Sequence, residues 1–243
     1  MELRRRVSIF VPAFNEAGNL EEAIHDIVGA AEKVLEDYEV LLVDDGSTDG
    51  TGALADRLAQ ELPKLRVIHQ TRNLGIGAGY VRALDEAKLD YFSFLPADGE
   101  INPESIKDIL VAVGTADIVV PYHANPWARP LHRRFLTWAP RSLVNTLFGL
   151  KLKYFQGPCI YPTALARLLP KTSGGFYFPT QMLVHAVRSG HTYVHVGLIC
   201  QERRHGRSKA VSLGNILRAL RTIGALWWTI YVRQPASHRE KVA

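Results

Sequence analysis

Cysteine, acidic surplus and long apolar runs are what this chain of 243 residues has least of. Its two cysteines, Cys159 and Cys200, stand at no metal-ligand spacing. That argues against a zinc site and against a disulfide framework. Both lie in apolar settings, as core thiols of a cytosolic protein do. The longest late apolar run, Ile223 to Val232, is about half the ~20 residues needed to cross a bilayer. The start, Met1 to Arg6, is charged and runs straight into an apolar segment, unlike a secretory signal. Internal repeats, low-complexity tracts and a clear linker are also missing. Six histidines (His69, His123, His132, His185, His191 and His195) show no metal spacing, and none is given a catalytic role.

The shortage of acid is local. Formal charge is +5, and basic residues crowd the second half. Arg129, Arg133, Arg134, Arg141, Lys151 and Lys153 fall close together. Arg203, Arg204, Arg207 and Lys209 form a second group, and Arg218, Arg221 and Arg233 follow. A solvated face carries such charge, and so does a surface that attracts anionic ligands or an anionic membrane. No nucleic-acid motif accompanies these clusters, so nucleic acid is not an expected partner.

What is present is an ordinary folding composition, 47% apolar and 22% charged, with length enough for one substantial core. Apolar runs at Val7–Val11, Glu39–Val43, Arg66–His69, Tyr91–Leu95 and Asp117–Val120 read as strands. Between them, helical spacing predicts helices over Asn19–Leu35, from an Asp49 cap through Leu62, over Ile76–Ala87, and from Pro103 to Val113. This alternation means βαβ units and a mostly parallel sheet. After Pro121 the pattern changes. His123–Pro130 is loop-like, Pro130–Phe148 helical and basic, and Tyr154–Pro162 irregular. Thr180–Ser189 reads as a helix, Tyr193–Val196 as a strand, and Ser212–Val232 as a long helix both apolar and basic. The expected organisation is a body over residues 1–210 and an amphipathic tail over 211–243. Aromatics interspersed with arginine suit that tail to a membrane interface, while packing on the body or on a second subunit accounts for the same pattern.

Four polar segments follow predicted strands: Pro12-Ala13-Phe14-Asn15-Glu16, Asp44-Asp45-Gly46-Ser47, Asn73-Leu74-Gly75-Ile76-Gly77 and Asp98-Gly99-Glu100. Loops leaving the carboxyl ends of parallel strands converge on one crevice. Paired carboxylates at a strand end are costly unless hydrogen-bonded, and Asp44 or Asp45 can accept from a nucleobase N–H or a ribose hydroxyl. A turn with an N-cap is the plainer reading of the same residues. Asp98 and Glu100, two apart on a loop, can reach one cation. Mg²⁺ takes one or two protein carboxylates and completes its shell with phosphate oxygens. The alternate glycines Gly75, Gly77 and Gly79 permit close backbone approach or tight helix packing, but are not the dinucleotide fingerprint. A nucleotide-dependent transferase is the class these segments point to.

The set, in this order from Val7 to Pro121, resembles the family-2 inverting glycosyltransferases. The resemblance implies a GT-A, Rossmann-like α/β fold: a mostly parallel sheet flanked by helices, here with a C-terminal amphipathic helical appendage. It implies that Pro12, Ala13, Phe14, Glu16, Asp44, Asp45, Gly75, Ala97 and Asp98 hold the nucleotide sugar, GDP- or UDP-linked. It also implies Mg²⁺ or Mn²⁺ on Asp98, with Glu100 the candidate second ligand. In the second half, Arg203-Arg204-His205-Gly206-Arg207-Ser208-Lys209 is similar to an Arg-x-x-Gly-x-Ser-Lys element of dolichyl- and polyprenyl-phosphate sugar synthases. That likeness would set Arg203, Ser208 and Lys209 on the donor phosphates, with Asp98, Arg203 and Lys209 as the catalytic group. Arg133 to Gly149 is similar to the acceptor-phosphate region of those synthases, which would bring Arg129, Arg133, Arg134 and Thr137 to the acceptor.

Three positions depart from the pattern. Pro96 replaces the first acid of the usual Asp-x-Asp, Tyr154 stands where Asp is frequent, and Gln181 stands where Glu is. Transfer to a hydroxyl needs a base to take its proton, whereas a phosphate monoester is already anionic. With no evident base after Glu100, a lipid phosphate is the favoured acceptor. A hydroxyl acceptor, and a non-catalytic nucleotide-sugar-binding module, are the alternatives. The enzyme expected is thus cytoplasmic and peripheral at the cytosolic face of a membrane, with homo-oligomer formation left open.

Overall fold

The computed structural model describes residues 5–125, 131–171, 177–201 and 213–233, with backbone only at 131–137, 139, 213–220 and 233. β1 (Arg6–Ala13) lies between β2 (Asp37–Asp44) and β4 (Tyr91–Phe94), parallel to both. β3 (Leu65–His69) pairs parallel with β2, and β6 (Tyr161–Pro162) closes the other edge antiparallel to β4. The sheet order is therefore β3-β2-β1-β4-β6.

Strand side chains alternate between faces. Val7, Ile9 and Val11 of β1, with Val40 and Leu42 of β2, enter one buried cluster, while Phe10, Leu41 and Val43 enter the other. Both faces are covered, which is why these strands read as unbroken apolar runs. On the first face pack α1 (Leu20–Val34), α2 (Thr51–Glu61) and α4 (Pro103–Val111), through Ile24, Ile27, Leu58, Ile106 and Ile109. On the second pack α3 (Ile76–Glu86), α5 (Leu131–Phe148), α6 (Thr163–Leu168), α7 (Phe178–Arg188) and α8 (Leu213–Trp228). Tyr80 of α3 sits at the centre of that layer, its ring edge-on to Phe10 and Phe92.

The expected parallel sheet with flanking helices is present, with three differences. The fifth predicted strand, β5 (Ile118–His123), leaves the main sheet and pairs parallel with β7 (Tyr193–Leu198). A bridge from Val119 to Ile160 ties it back. The segment Tyr154–Pro162, expected to be irregular, ends in β6 and leads into α6. Lastly, Asp49 is not the cap residue of α2. Gly50 takes that position with φ 93°, a left-handed conformation that costs glycine little. Asp49 still serves the helix end from one residue back, its carboxylate accepting from the Thr51 amide.

Candidate active site

The chain runs β1, β2, β3 outward on one side of β1 and then crosses to β4 on the other. The order reverses between β1 and β4, and the crevice outside their carboxyl ends is where open α/β sheets bind ligands. The Pro12–Glu16 loop leaves β1 at that crevice, and Ala97–Glu100 follows β4 on its other side. Ala13 pairs in register with Asp44, so the tip of β2 stands one strand away. The tips of β2 and β4 are thus about 10 Å apart across β1.

The first three polar segments are zipped into one loop cluster. Asn15 adopts φ 55°, a left-handed conformation that asparagine tolerates better than most residues. There its amide donates to Ser47 Oγ at 3.0 Å, and its side-chain oxygen accepts from the Thr48 amide at 2.9 Å. The Glu16 amide donates to Thr51 Oγ1, and the Ala17 amide to Asp49 Oδ2. Burial pushes the Asp49 carboxyl up, but the bonds from Thr51 and Ala17 outweigh it and hold it below the ordinary value.

The two adjacent carboxylates have separate partners. Asp45 reaches the glycine loop: its two oxygens accept from the Leu74 and Gly75 amides at 2.7 and 2.8 Å. Gly75 carries φ 86°. Gly46 makes that approach possible, since a Cβ there would fall 2.7 Å from the backbone of Arg72. Asp44 turns the other way. Its Oδ1 accepts from the Ser47 amide at 3.0 Å, and its Oδ2 lies 3.1 Å from Nδ1 of His69 at the end of β3. Burial raises the Asp44 carboxyl, yet the Ser47 and His69 contacts bring it net below its usual range. Nε2 of His69 faces Asp56 Oδ1 of α2 at 2.9 Å. Nothing local marks His69, whose partners are 25 and 13 residues away along the chain. Of the alternate glycines, Gly75 serves the backbone and Gly79 the packing, with a Cβ there meeting Phe10 at 3.2 Å.

The acidic loop is held from another direction. The Glu100 amide donates to Asp98 Oδ1 at 3.1 Å, and Gly99 turns with φ 63°. Ile199–Gln201 then lies along it. Ile101 bridges Cys200, the Gln201 amide donates to Glu100 O, and Gln201 Nε2 donates to Gly99 O, both at 2.9 Å. Asn125, two residues past β5, grips the Cys200 backbone at both its N–H and C=O. His123 Nδ1 stands 3.1 Å from Cys200 Sγ. Cys200 is thus half-buried beside the candidate site. Cys159 is a core thiol, pushed up to about 12 by burial.

Among the described residues no three His, Cys, Asp or Glu side chains form a ready-made cage. The oxygen-only pair Asp98 and Glu100 fits a hard divalent cation that brings phosphate oxygens with it. Of the predicted phosphate ligands, Arg133, Arg134 and Thr137 lie in the first turns of α5. Arg129, Arg203, Ser208 and Lys209 lie outside the described residues. Beside the later turns of α5 a cavity of about 90 Å³ opens between α5, α7 and α8, lined by Arg141, Tyr154, Gln156, Tyr177 and Ile223 among others. Gln181 is buried in α7.

The last helix, α8, runs on as a π-helical turn over Thr229–Arg233, and together they pack on the body. Ile223, Leu226 and Ile230 are buried with Phe148 and Phe178. Arg188 donates to Phe148 O and to the Tyr231 hydroxyl, which in turn donates to Leu147 O. Trp227 and Trp228 emerge on the exposed side, Trp228 58% exposed, and Trp138 of α5 is 53% exposed. No helix of the described residues is long and apolar enough to cross a membrane.

Residues 8–166 match the family model described as glycosyl transferase family 2. An undecaprenyl-phosphate mannosyltransferase of Micrococcus luteus is 31% identical over 215 residues, covering 84% of this chain and 87% of that protein. A polyprenol monophosphomannose synthase of Mycolicibacterium smegmatis is 31% identical over 231 residues, covering 89% and 84%. Among solved structures, glucosyl-3-phosphoglycerate synthase from Mycobacterium tuberculosis, with Mn²⁺, UDP and phosphoglyceric acid, superposes with a TM-score of 0.69. It is 20% identical and covers 93% of this chain and 78% of that one. At that identity the likeness is one of fold.

Proposed function

Because the chain belongs to glycosyl transferase family 2, we propose that it moves one sugar from a GDP- or UDP-linked donor to a polyprenyl phosphate at a membrane surface. The observation that carries this reading is the gathering of the β1, β2 and β4 loops at one edge, astride the point where the strand order reverses. The relatives named for undecaprenyl-phosphate and polyprenol-phosphate mannose transfer match over more than four-fifths of both chains. Mannose is therefore the first donor sugar to test.

In this reading the zipped loops bind the nucleotide, with Asp44 and Pro12–Glu16 nearest the base and ribose. Asp45 acts through the glycine loop it holds. Asp98, with Glu100, would carry Mg²⁺ or Mn²⁺. When bound, that ion neutralises charge building on the departing diphosphate. Arg203, Ser208 and Lys209 add hydrogen bonds to the same phosphates. Arg129, Arg133, Arg134 and Thr137 hold the acceptor phosphate. Its oxygen attacks the anomeric carbon from the far face. The new C–O bond forms as the bond to the diphosphate breaks, and nucleoside diphosphate leaves. The acceptor has no hydroxyl proton to lose, which fits glutamine at position 181. Positioning and charge stabilisation do the remaining work. Residues 1–210 form the catalytic body, and the tail over 211–243 rests on the cytosolic face of a membrane through Trp227 and Trp228.

The test is nucleoside diphosphate release across a panel of donors, with a short polyprenyl phosphate present or absent. Release is expected to depend on the lipid phosphate and on divalent metal. Asp98→Asn should lower it by about 100-fold or more, with an unchanged melting temperature. Saccharide acceptors that work without lipid phosphate would overturn the acceptor assignment. Wild-type turnover in Asp98→Asn would remove the metal from that residue.

A further inference from the structure

Two carboxylates from different elements face the two nitrogens of one ring, His69 (Asp44 from β2 and Asp56 from α2). A neutral imidazole has a single N–H and can answer only one of them. A carboxylate at each nitrogen therefore selects the doubly protonated cation. The bonds to Asp56, then to Asp44, raise His69 above its ordinary value against the pull of desolvation. Among the described residues these two carboxylates are the charged groups set against the ring.

Asp44 is also limited on its other sides. Its Oδ1 accepts from the Ser47 amide. Its Oδ2 lies over the bare backbone of Gly52, where a Cβ would come within 2.8 Å of that oxygen and 3.4 Å of His69 Cε1. A carboxylate held by the Ser47 amide and hydroxyl, an imidazolium and a glycine has one orientation, and of its roughly four lone-pair positions one is left for a further donor.

We infer that His69 is a positioning residue for nucleobase recognition. As an imidazolium it holds the Asp44 carboxylate where it accepts a base N–H, and nucleotide affinity follows the charge on His69. This rests on the proposed reading of Asp44 as a nucleotide contact. Once His69 loses a proton, one ring nitrogen presents a lone pair to a carboxylate oxygen, and the three-membered chain Asp56–His69–Asp44 breaks at one of its links. Affinity is then strongest on the acid side of the His69 titration and falls as pH rises through it. Asp44, lowered below 3.8, stays ionised throughout.

The experiment is calorimetric titration of the full chain with GDP and with UDP, in Mg²⁺, over the pH range in which His69 titrates, for wild type, His69→Gln and Asp44→Asn. The ligand's own ionisations are common to all three, so the readout is the difference between proteins. His69→Gln should bind about five- to tenfold more weakly at the acid end and lose the wild-type dependence on pH. An unchanged affinity and slope would overturn the inference. Wild-type affinity in Asp44→Asn would instead refute Asp44 as a nucleotide contact, whatever His69→Gln does. A second measurement needs no variant. The His69 ring proton, followed by NMR in wild type, should titrate about one pH unit higher with nucleotide bound if the affinities of the two states differ tenfold. An unmoved midpoint would count against the inference as decisively.

Discussion

Replacing Asp45 by asparagine separates a loop-building carboxylate from a ligand-binding one. In the wild type two backbone amides, Leu74 and Gly75, donate to its two oxygens at 2.7 and 2.8 Å. Asparagine is nearly the same size but keeps one acceptor. Its NH₂ turns toward the second amide, donor against donor. The loss is one charge-assisted bond plus an amide left without a partner, and Asp45 is buried, so solvent offsets little of it. Together these come to about 2–4 kcal/mol. A chain of this length loses roughly 2 °C of melting temperature per kcal/mol, giving a fall of about 4–8 °C. Local opening should precede global unfolding, so amide exchange across residues 70–79 rises first. Thermal melting with hydrogen-exchange mass spectrometry measures both. A melting temperature within about 1 °C of wild type, with equal protection at Leu74 and Gly75, would show that Asp45 does not hold this loop.

Two further outcomes follow from other parts of the fold. Trp228→Ala should weaken binding to vesicles containing anionic lipid by about fivefold and leave melting unchanged, because that indole is 58% exposed; equal vesicle binding would detach the tail from membrane contact. At the start of β5, Thr192 donates to Asp117 through its hydroxyl and its amide, and these bonds hold the Asp117 carboxyl below 3.8. A depressed carboxylate contributes stability above 3.8 and loses it as pH falls through the folded value. Because Asp117 is half exposed, Asp117→Asn should cost only about 1–2 °C at neutral pH. That difference should narrow on acidification, and a gap that stays constant would contradict the linkage.

Much of the architecture was readable from local pattern. Val7–Val11 and Glu39–Val43 are apolar because both faces of their strands are covered, and Pro103 begins α4 behind an Asn102 side chain that accepts from the Glu104 amide. Partners were harder to read than elements. Asp117–Val120 reads correctly as a strand, yet its run of apolar residues says nothing about pairing with β7, some 75 residues later. The two-residue β6 is too short to leave a periodic signal. At the site, the acidic motifs announce themselves by their position after strands. Neither the division of labour between Asp44 and Asp45 nor the place of His69 does, because each depends on which loop arrives opposite. Gln201 resembles any polar loop residue until Gly99 is found beneath it.

The anchoring of the last helix fixes more than its place. Ile223, Leu226 and Ile230 are spaced along one stripe that is sunk in the layer formed by α5 and α7, so the helix cannot roll about its own axis without lifting that stripe into water. The bearing of Trp227 and Trp228 is accordingly dictated from inside the protein. Any surface they meet must accept the tilt the body offers, and a chain cut short before residue 213 would lose that tilt along with the lid over its own apolar layer.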